Sequence, residues 1–194
     1  MNSFGLGVAT TGFWSEKASP DLETIDSSHI FVNVHLILKN CRTAREALEY
    51  VKGSPRMNGL NIILVDSQDA FLVEMTKDRI QVEEDTGNGI LFRTNHYISS
   101  EFQAFNPEEE KYPSTYFRYR RIKELLEKQY GKIRFQDLFR IMSDHKNGGN
   151  AICRHPQEGY PGWTMSTSLF VLEDREAWTT LDNPCKNLRY SLLK

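Results

Sequence analysis

Short apolar runs separated by polar turn residues dominate the first half of the chain. The segments LNIILVD, AFLVEMT, RIQVEE and NGILFRT follow one another, with turn residues such as Ser67-Gln68-Asp69 and Lys77-Asp78 between them. Short runs bounded by turn-forming residues are typical of strands joined by tight connections. The pattern predicts an antiparallel meander in which each of these segments is a strand.

Three segments before the meander show other patterns. Apolar and small residues alternate from Phe4 to Ala9, which predicts a strand with one packed face. The segment HIFVNVHLILK fits either a buried strand or a helix. Thr43 is followed three residues later by Glu46, the spacing of a capping box, so a helix is expected from about Thr43 to near Gly53.

Helical periods return in the second half of the chain. Pro113 opens STYFRYRRIKELLEKQYG, Gly131 supplies its stop signal, and RFQDLFRIMSDH repeats the period. TMSTSLFVLED, EAWTTLD and NLRYSLL then read as strands, with DNPC as a turn between the last two. Strands, then helices, then strands predict an α+β fold.

Length and charge restrict the class of protein. The 194 residues suit a single domain over 1–194, and no apolar run is long enough to span a membrane. The segment FRYRRIK mixes arginine with tyrosine and could hold phosphates and stack bases, but a net charge of -2 favours a solvated amphipathic helix. We therefore expect neither a nucleic-acid nor a membrane partner.

Cysteine usage points to a reducing compartment. Cys41, Cys153 and Cys185 are odd in number and widely spaced, as expected of reduced thiols in the cytoplasm. His145, Cys153 and His155 are ligand types that zinc takes, yet no C-x-x-C or H-x-x-x-H pair occurs and no fourth ligand is evident. We accordingly expect no metal and no other cofactor.

The candidate nucleophiles are cysteines, since no G-x-S-x-G segment occurs. Cys41 lies just before the predicted helix at Thr43, a position that would lower the pKa of its thiol modestly. Cys153 would share a face with His155 only on a straight extended segment, and Cys185 has no base near it in sequence. A packing role for Cys41 is the more common one.

Two polar residues suit the chemistry of an acyl group. Asn95 follows the apolar run of ILFRTNHYISSEF, where an asparagine N–H can donate to a developing oxyanion. Arg118 offers a two-pronged guanidinium to a substrate carboxylate. On spacing alone, a structural role for each residue is the commoner one.

The order of eight segments along the chain carries a family resemblance. Eight segments, in this order, resemble the acyl-CoA:6-aminopenicillanate acyltransferase family. They are MNSFGLGVATTGF, NCRTAREALEYV, GLNIILVDSQDAFLVEM, LFRTNHYISSEF, YPSTYFRYRRIKELL, RIMSDHKNGGNAICRHP, TMSTSLFVLED and LDNPCKNLRY. That family looks related to choloylglycine hydrolases and penicillin V acylases. The resemblance covers about Met1 to Arg189, and TNHY and STYFRYRR are its most specific parts.

This resemblance implies a fold and a site. The fold is that of N-terminal-nucleophile hydrolases, an αββα sandwich of two antiparallel sheets between helical layers. By the same resemblance, Asn95 is an oxyanion-hole donor, Arg118 lines the substrate pocket, and His96 beside Asn95 binds substrate. The family's attacking cysteine, with the aspartate and arginine that accompany it, lies upstream of the segment that matches Met1. We therefore expect the fold to be incomplete at the N-terminus and the chain to contain no nucleophile.

Two functions follow from the resemblance. The first is an amidohydrolase or acyltransferase that acts on non-peptide carbon–nitrogen bonds through an acyl-cysteine. It would take a small-molecule amide or acyl substrate, and a separate N-terminal fragment would bring the nucleophile. The alternative is a catalytically inactive remnant that serves as a binding or interaction module, with a homodimer covering its exposed sheet edge.

Overall fold

A computed structural model describes residues 1–12, 30–55, 59–85, 89–159, 162–186 and 189–193. These residues form two compact units, Met1–Pro107 and Glu108–Lys194, each containing helices and an antiparallel sheet. The α+β class predicted from the pattern is confirmed. Among the described helices, none combines the length and the apolar character that crossing a membrane requires. The prediction of one domain over the whole chain stays a prediction.

The first unit contains a four-stranded antiparallel sheet in the order β1-β2-β3-β4. Its strands are β1 (Gly7–Gly12), β2 (Leu60–Val65), β3 (Ala70–Met75) and β4 (Ile80–Glu84). The predicted strands LNIILVD, AFLVEMT and RIQVEE are confirmed. The N-terminal strand begins at Gly7 rather than Phe4, because the side chain of Asn2 accepts the backbone N–H groups of Phe4 and Leu6 and so folds the preceding residues into a turn.

The prediction of a further strand at NGILFRT is wrong for residues 89–94, which pair with none of the described strands. Its short apolar run is typical of a strand, but the polar groups of the segment bond side chains of the sheet and do not bond the backbone of a described neighbouring strand. Arg93 donates to Glu74 on β3, and the carbonyl of Thr94 accepts from Asn61 on β2. The segment therefore lies over one face of the sheet and does not extend it past β4.

Two helices cover the opposite face of this sheet. HIFVNVHLILK is helical over its described part, α1 (Ile30–Asn40), which settles the choice between strand and helix. The predicted helix after Thr43 is confirmed as α2 (Ala44–Gly53), with the Thr43 hydroxyl accepting the N–H of Glu46 at 3.1 Å. The Glu46 carboxylate accepts the N–H of Arg42 at 2.7 Å. In a standard capping box it would accept the N–H of the capping residue itself, which here is Thr43.

Alternation along β2 and β3 gives the sheet an apolar face and a polar face. The apolar face packs against α1 and α2 in one core, whose members include Ile37, Ala47, Leu48, Val51, Leu60, Ile62, Leu64, Phe71, Val73 and Met75. Because successive side chains of a strand point to opposite faces, Asn61 and Glu74 lie on the other face. Thr11 of β1 is paired with Asn61 and shares that face. Two buried polar residues, Asn61 and Glu74, thus lie beside Ile63 and Leu72 on the face opposite the core, which we call the polar face.

The second unit contains two α-helices and a three-stranded antiparallel sheet in the order β5-β6-β7. Its elements are α3 (Pro113–Lys128), α4 (Phe135–Met142), β5 (Ser168–Val171), β6 (Glu176–Thr180) and β7 (Arg189–Leu193). Each was predicted from the sequence. Gly131 has a φ of 70°, as a helix stop requires, and the DNPC turn is a single 3₁₀ turn at Pro184–Lys186.

Candidate functional site

The segment Thr94–His96 is fastened to the polar face of the first sheet. Asn61, 1% exposed, donates to the carbonyl oxygens of Thr94 at 3.1 Å and His96 at 3.3 Å. The hydroxyl of Thr11 also donates to the Thr94 carbonyl, at 2.5 Å, and accepts from Asn61 at 3.0 Å. Side chains of two strands therefore hold the backbone on both sides of Asn95.

Glu74 holds the same segment at its two flanks. Its carboxylate accepts from Arg93 Nε at 2.9 Å and from the backbone N–H groups of Ile98 at 2.7 Å and Ser99 at 3.0 Å. The side chains of Glu74 and Arg93 are 2% and 8% exposed. Tyr97, between these contacts, is buried and donates its O–H to the carbonyl of Met75. The buried ion pair of Glu74 and Arg93 therefore holds the segment in place.

The environment of Glu74 favours its charged form. Burial pushes the pKa of Glu74 upward, but the donors of Ile98 and Ser99 and the charge of Arg93 outweigh burial, so the pKa lies below its ordinary value. Burial and the Glu74 charge raise the pKa of Tyr97, which keeps its phenol protonated as a donor. The site thus combines a carboxylate that resists protonation with a phenol that resists ionisation.

This carboxylate predicts an acid-dependent stability difference. A lowered pKa in the folded state stabilises the fold above the unfolded-state pKa of about 4.3, and that stabilisation is lost as pH falls through the folded-state value. We expect the free energy of unfolding of wild type to exceed that of Glu74→Gln by a constant amount from about pH 6 to 8, and the difference to shrink below about pH 4. Urea denaturation at several pH values measures it. A difference independent of pH would contradict the assignment.

Asn95 itself points toward the end of β1. Its side-chain Nδ2 donates to the Gly12 carbonyl at 2.6 Å, which fixes the orientation of the carboxamide. His96 is 4% exposed, and its Nδ1 lies 3.1 Å from the Thr94 hydroxyl. Thr94 and His96 are thus packed inward, whereas Asn95 is half-buried between them. An amide fixed in this way has the rigidity that an oxyanion donor requires.

Arg118 lies in the second unit, on α3. Its Nε donates to the hydroxyl of Ser114 one turn earlier, at 3.2 Å, so the two residues share a helix face as expected. Burial and the positive charge of Arg154 lower the pKa of Arg118 to about 10. The buried Nε of Arg154 has no hydrogen-bond partner among the residues described, and its guanidinium lies against Gly162. Two guanidinium groups therefore occupy one partly dehydrated region.

The other arginines of FRYRRIK bond acidic side chains. Arg120 donates to Glu109 at 2.7 Å, and Arg121 contacts Asp144 at 2.6 Å and Glu124 at 2.8 Å. The charges of Arg120 and Arg121 are therefore paired within the second unit.

The suggestion that the Cys41 thiol has a lowered pKa is wrong. The N–H of Cys41 donates to the Ile37 carbonyl, so the residue continues the last turn of α1 instead of opening α2. Its side chain is 5% exposed within the core of the first unit. Burial, together with the negative charge of Glu46, raises the pKa of this thiol. Cys41 is a packing residue.

The structure brings together the candidate metal ligands of the second unit and adds a fourth. Four ligand atoms lie within 4.8 Å of one another, one each from His145, Cys153, His155 and Cys185. His145 Nε2 is 3.1 Å from His155 Nε2, and Cys185 Sγ is 3.4 Å from the same nitrogen. Spacing along the sequence could not reveal Cys185, which is thirty residues beyond His155. The expectation of no metal depended on that missing ligand.

Sequence reasoning did not identify the residues that support the site. Asn61 and Glu74 are polar residues inside apolar strand runs, in LNIILV and AFLVEM. A buried polar side chain needs a partner, so these interruptions were a detectable signal. Arg154 and Cys185 gave no comparable signal, because their neighbours come from distant segments.

Comparison with known proteins addresses the whole chain. No individually curated protein matches it. The family model for acyl-coenzyme A:6-aminopenicillanic acid acyl-transferase matches residues 1–186, a range that includes Asn95, His96 and Arg118. Proteins of this family have acyltransferase- or amidase-type activity. The match covers nearly all of the chain and agrees with the order of segments found in the sequence. This chain therefore belongs to the acyl-coenzyme A:6-aminopenicillanic acid acyl-transferase family.

Proposed function

We propose that this protein acts at the carbon–nitrogen bond of a non-peptide amide, as an amidohydrolase or acyltransferase with an acyl-cysteine intermediate. A thiolate attacks the acyl carbon, the amine leaves with a proton, and water or a second amine releases the acyl group. The observation that carries this proposal is Asn95, whose carboxamide is fixed by Gly12 while Asn61 and Glu74 hold the backbone of neighbouring residues. That arrangement suits a donor to the tetrahedral oxyanion.

The fold we propose is the N-terminal-nucleophile sandwich. The first unit has an antiparallel sheet with helices packed on one face, and the second has an antiparallel sheet and two α-helices. Both observations support the layers of an αββα arrangement.

The attacking thiol is proposed to come from outside the three cysteines of this sequence. Cys41 is buried on the apolar face of the first sheet, opposite Asn61 and the segment it holds. Burial raises the pKa of Cys153 to about 11, with Cys185 as its neighbour. A nucleophile needs a lowered pKa or an adjacent base aimed at the substrate. A separate N-terminal fragment that begins with cysteine is the proposed source.

Labelling with a thiol-directed acyl probe tests this proposal. We would purify the protein from its native source, label it, and measure intact masses and N-terminal sequences of everything that co-purifies. We expect rapid labelling of a bound smaller chain at an N-terminal cysteine. If only slow labelling of Cys41, Cys153 or Cys185 is found, the catalytic proposal fails.

The alternative function is a non-catalytic binding module. Cys41 and Cys153 are buried and have raised pKa values, which favours the binding module if no second chain supplies a nucleophile. Such a module is proposed to self-associate as a homodimer. Light scattering at several concentrations would then show a dimer, whereas an enzyme completed by a fragment would show a heterodimer.

Arg118 and Arg154 are proposed to bind a carboxylate of the substrate. Two partly dehydrated guanidinium groups repel each other, and an anion between them removes that repulsion. We expect Arg118→Met to raise KM about 10- to 100-fold for an amide substrate that carries a carboxylate, in line with the loss of a charged hydrogen bond. For a neutral analogue the change should be small. Steady-state kinetics on both substrates makes the comparison.

The matched control for this prediction is Arg120→Met. Arg120 lies on the same helix, is exposed, and bonds Glu109. Its substitution should leave KM for both substrates unchanged. An equal increase in KM for the two substrates in Arg118→Met would contradict a carboxylate-binding role.

A further inference from the structure

We infer that His145, Cys153, His155 and Cys185 form a tetrahedral zinc site in the second unit. The inference is independent of the proposed function. The four residues supply two imidazoles and two thiols, and their ligand atoms all lie within 4.8 Å of one another. A set of two sulfurs and two nitrogens is one that zinc takes in its structural sites. Two thiolates also balance the charge of a divalent ion.

The distances agree with a tetrahedron around one ion. With metal–nitrogen bonds of about 2.0–2.1 Å and metal–sulfur bonds of about 2.3 Å, two nitrogens lie about 3.3 Å apart and a nitrogen and a sulfur about 3.6 Å apart. The Nε2 atoms of His145 and His155 are 3.1 Å apart, and Cys185 Sγ is 3.4 Å from His155 Nε2. The ligand atoms thus converge on a point that one ion would occupy.

Hydrogen bonding alone explains the cluster poorly. A ring nitrogen carries either one hydrogen or one lone pair, so it makes one good hydrogen bond at a time. His155 Nε2 nevertheless lies within bonding distance of both His145 Nε2 and Cys185 Sγ. The two imidazole rings also stack, with centroids 5.1 Å apart. An ion between these atoms would bind all of them at once.

Backbone contacts bring the three ligand-bearing segments together. The N–H of Cys153 donates to the carbonyl of Asp144, next to His145, at 2.9 Å. Asn183, 2% exposed, donates to the carbonyls of Arg154 at 2.7 Å and Thr164 at 2.8 Å. That bond holds the Pro184–Lys186 turn, which carries Cys185, against the segment of Cys153 and His155. The site is therefore pre-arranged by the fold.

The ligand set indicates a structural ion. Four protein ligands fill a tetrahedral zinc, whereas catalytic zinc sites keep one position open for water or substrate. The ligands come from the residues after α4, the 151–155 segment and the turn before β7. An ion there would cross-link three segments of the second unit that hydrogen bonds already hold together. Its removal should lower the stability of that unit.

Cobalt binding to the full chain tests the site. We would reduce the purified protein, remove metals with a chelator, and add Co²⁺ followed by Zn²⁺. We expect one ion per chain, the strong visible bands of tetrahedral Co²⁺, and a thiolate-to-metal charge-transfer band. Zinc should displace the cobalt and raise the melting temperature. Weak bands typical of octahedral Co²⁺, or bound iron in place of zinc, would overturn the inference.

Substitutions assign the ligands. Cys185→Ser and His145→Gln change side chains that are at least partly exposed, so both variants should fold, which circular dichroism checks. Each should weaken zinc binding by at least about 100-fold in competition with a chromogenic chelator, since loss of an outer-shell partner alone costs roughly 10- to 100-fold. The matched controls Cys41→Ser and His35→Gln, in the first unit, should retain wild-type affinity.

Three results would refute the assignment. Unchanged zinc affinity in both Cys185→Ser and His145→Gln would place the ion elsewhere. A wild-type protein that binds no cobalt after full reduction would show that the cluster is only a set of packed side chains or a disulfide-forming pair. If a variant unfolds, the number of thiolates is still read from the intensity of the charge-transfer band of wild type, and a value other than two contradicts the site.

Discussion

Replacing Glu74 with alanine is expected to lower the free energy of unfolding by about 3–5 kcal/mol, the usual loss when one partner of a buried ion pair is removed. The substitution leaves Arg93 without its buried partner and leaves the N–H groups of Ile98 and Ser99 without an acceptor. Burial of such unpaired groups is costly, because water cannot replace the lost contacts. Urea denaturation followed by circular dichroism measures the change.

Glu83→Ala is the matched control. Glu83 bonds the same Arg93 at 2.6 Å, but its side chain is 53% exposed. Its removal should cost less than about 1 kcal/mol, as for other exposed pairs. A double-mutant cycle of Glu74→Ala with Arg93→Ala should show coupling of about 0.5–3 kcal/mol. Equal losses in the two single glutamate variants would show that burial does not distinguish these pairs.

The second large effect is expected at Asn95. Asn95→Ala should lower kcat for the proposed amide reaction by about 100- to 1,000-fold, the loss typical of one oxyanion-hole donor. KM should change little, because the oxyanion develops only in the transition state. The assay uses the natively purified protein with its co-purifying chains, following acyl transfer from an acyl-CoA to 6-aminopenicillanic acid and the hydrolysis of amide analogues.

Stability and activity must be separated in this test. Asn95 also donates to the Gly12 carbonyl, so Asn95→Ala is compared with wild type by thermal melting before kinetics. Gln103→Ala, an exposed carboxamide in the same unit, serves as the activity control and should retain full kcat. If Asn95→Ala keeps wild-type kcat while folding normally, Asn95 is a structural residue that joins its segment to β1.

Most of the secondary structure was predictable because it depends on local pattern. The capping residue Thr43, the Pro113 start of α3 and the Gly131 stop each act within one turn of the chain. The segment NGILFRT was mispredicted because an apolar run does not reveal whether its backbone will meet another strand or a set of side chains. Here the partners are Asn61 and Glu74, on strands that lie 19 or more positions earlier in the sequence.

The sequence by itself determined the α+β class, most of the helices and strands, the family, and Asn95 and Arg118 as candidate site residues. Only the tertiary structure showed that Glu74 and Asn61 hold the Asn95 segment, that Arg154 lies near Arg118, and that Cys185 completes the cluster with His155. The physical reason is the range of the interactions. Periods, caps and turns are set by residues a few positions apart, whereas these contacts join residues 19 to 36 positions apart and exist only once the chain has folded.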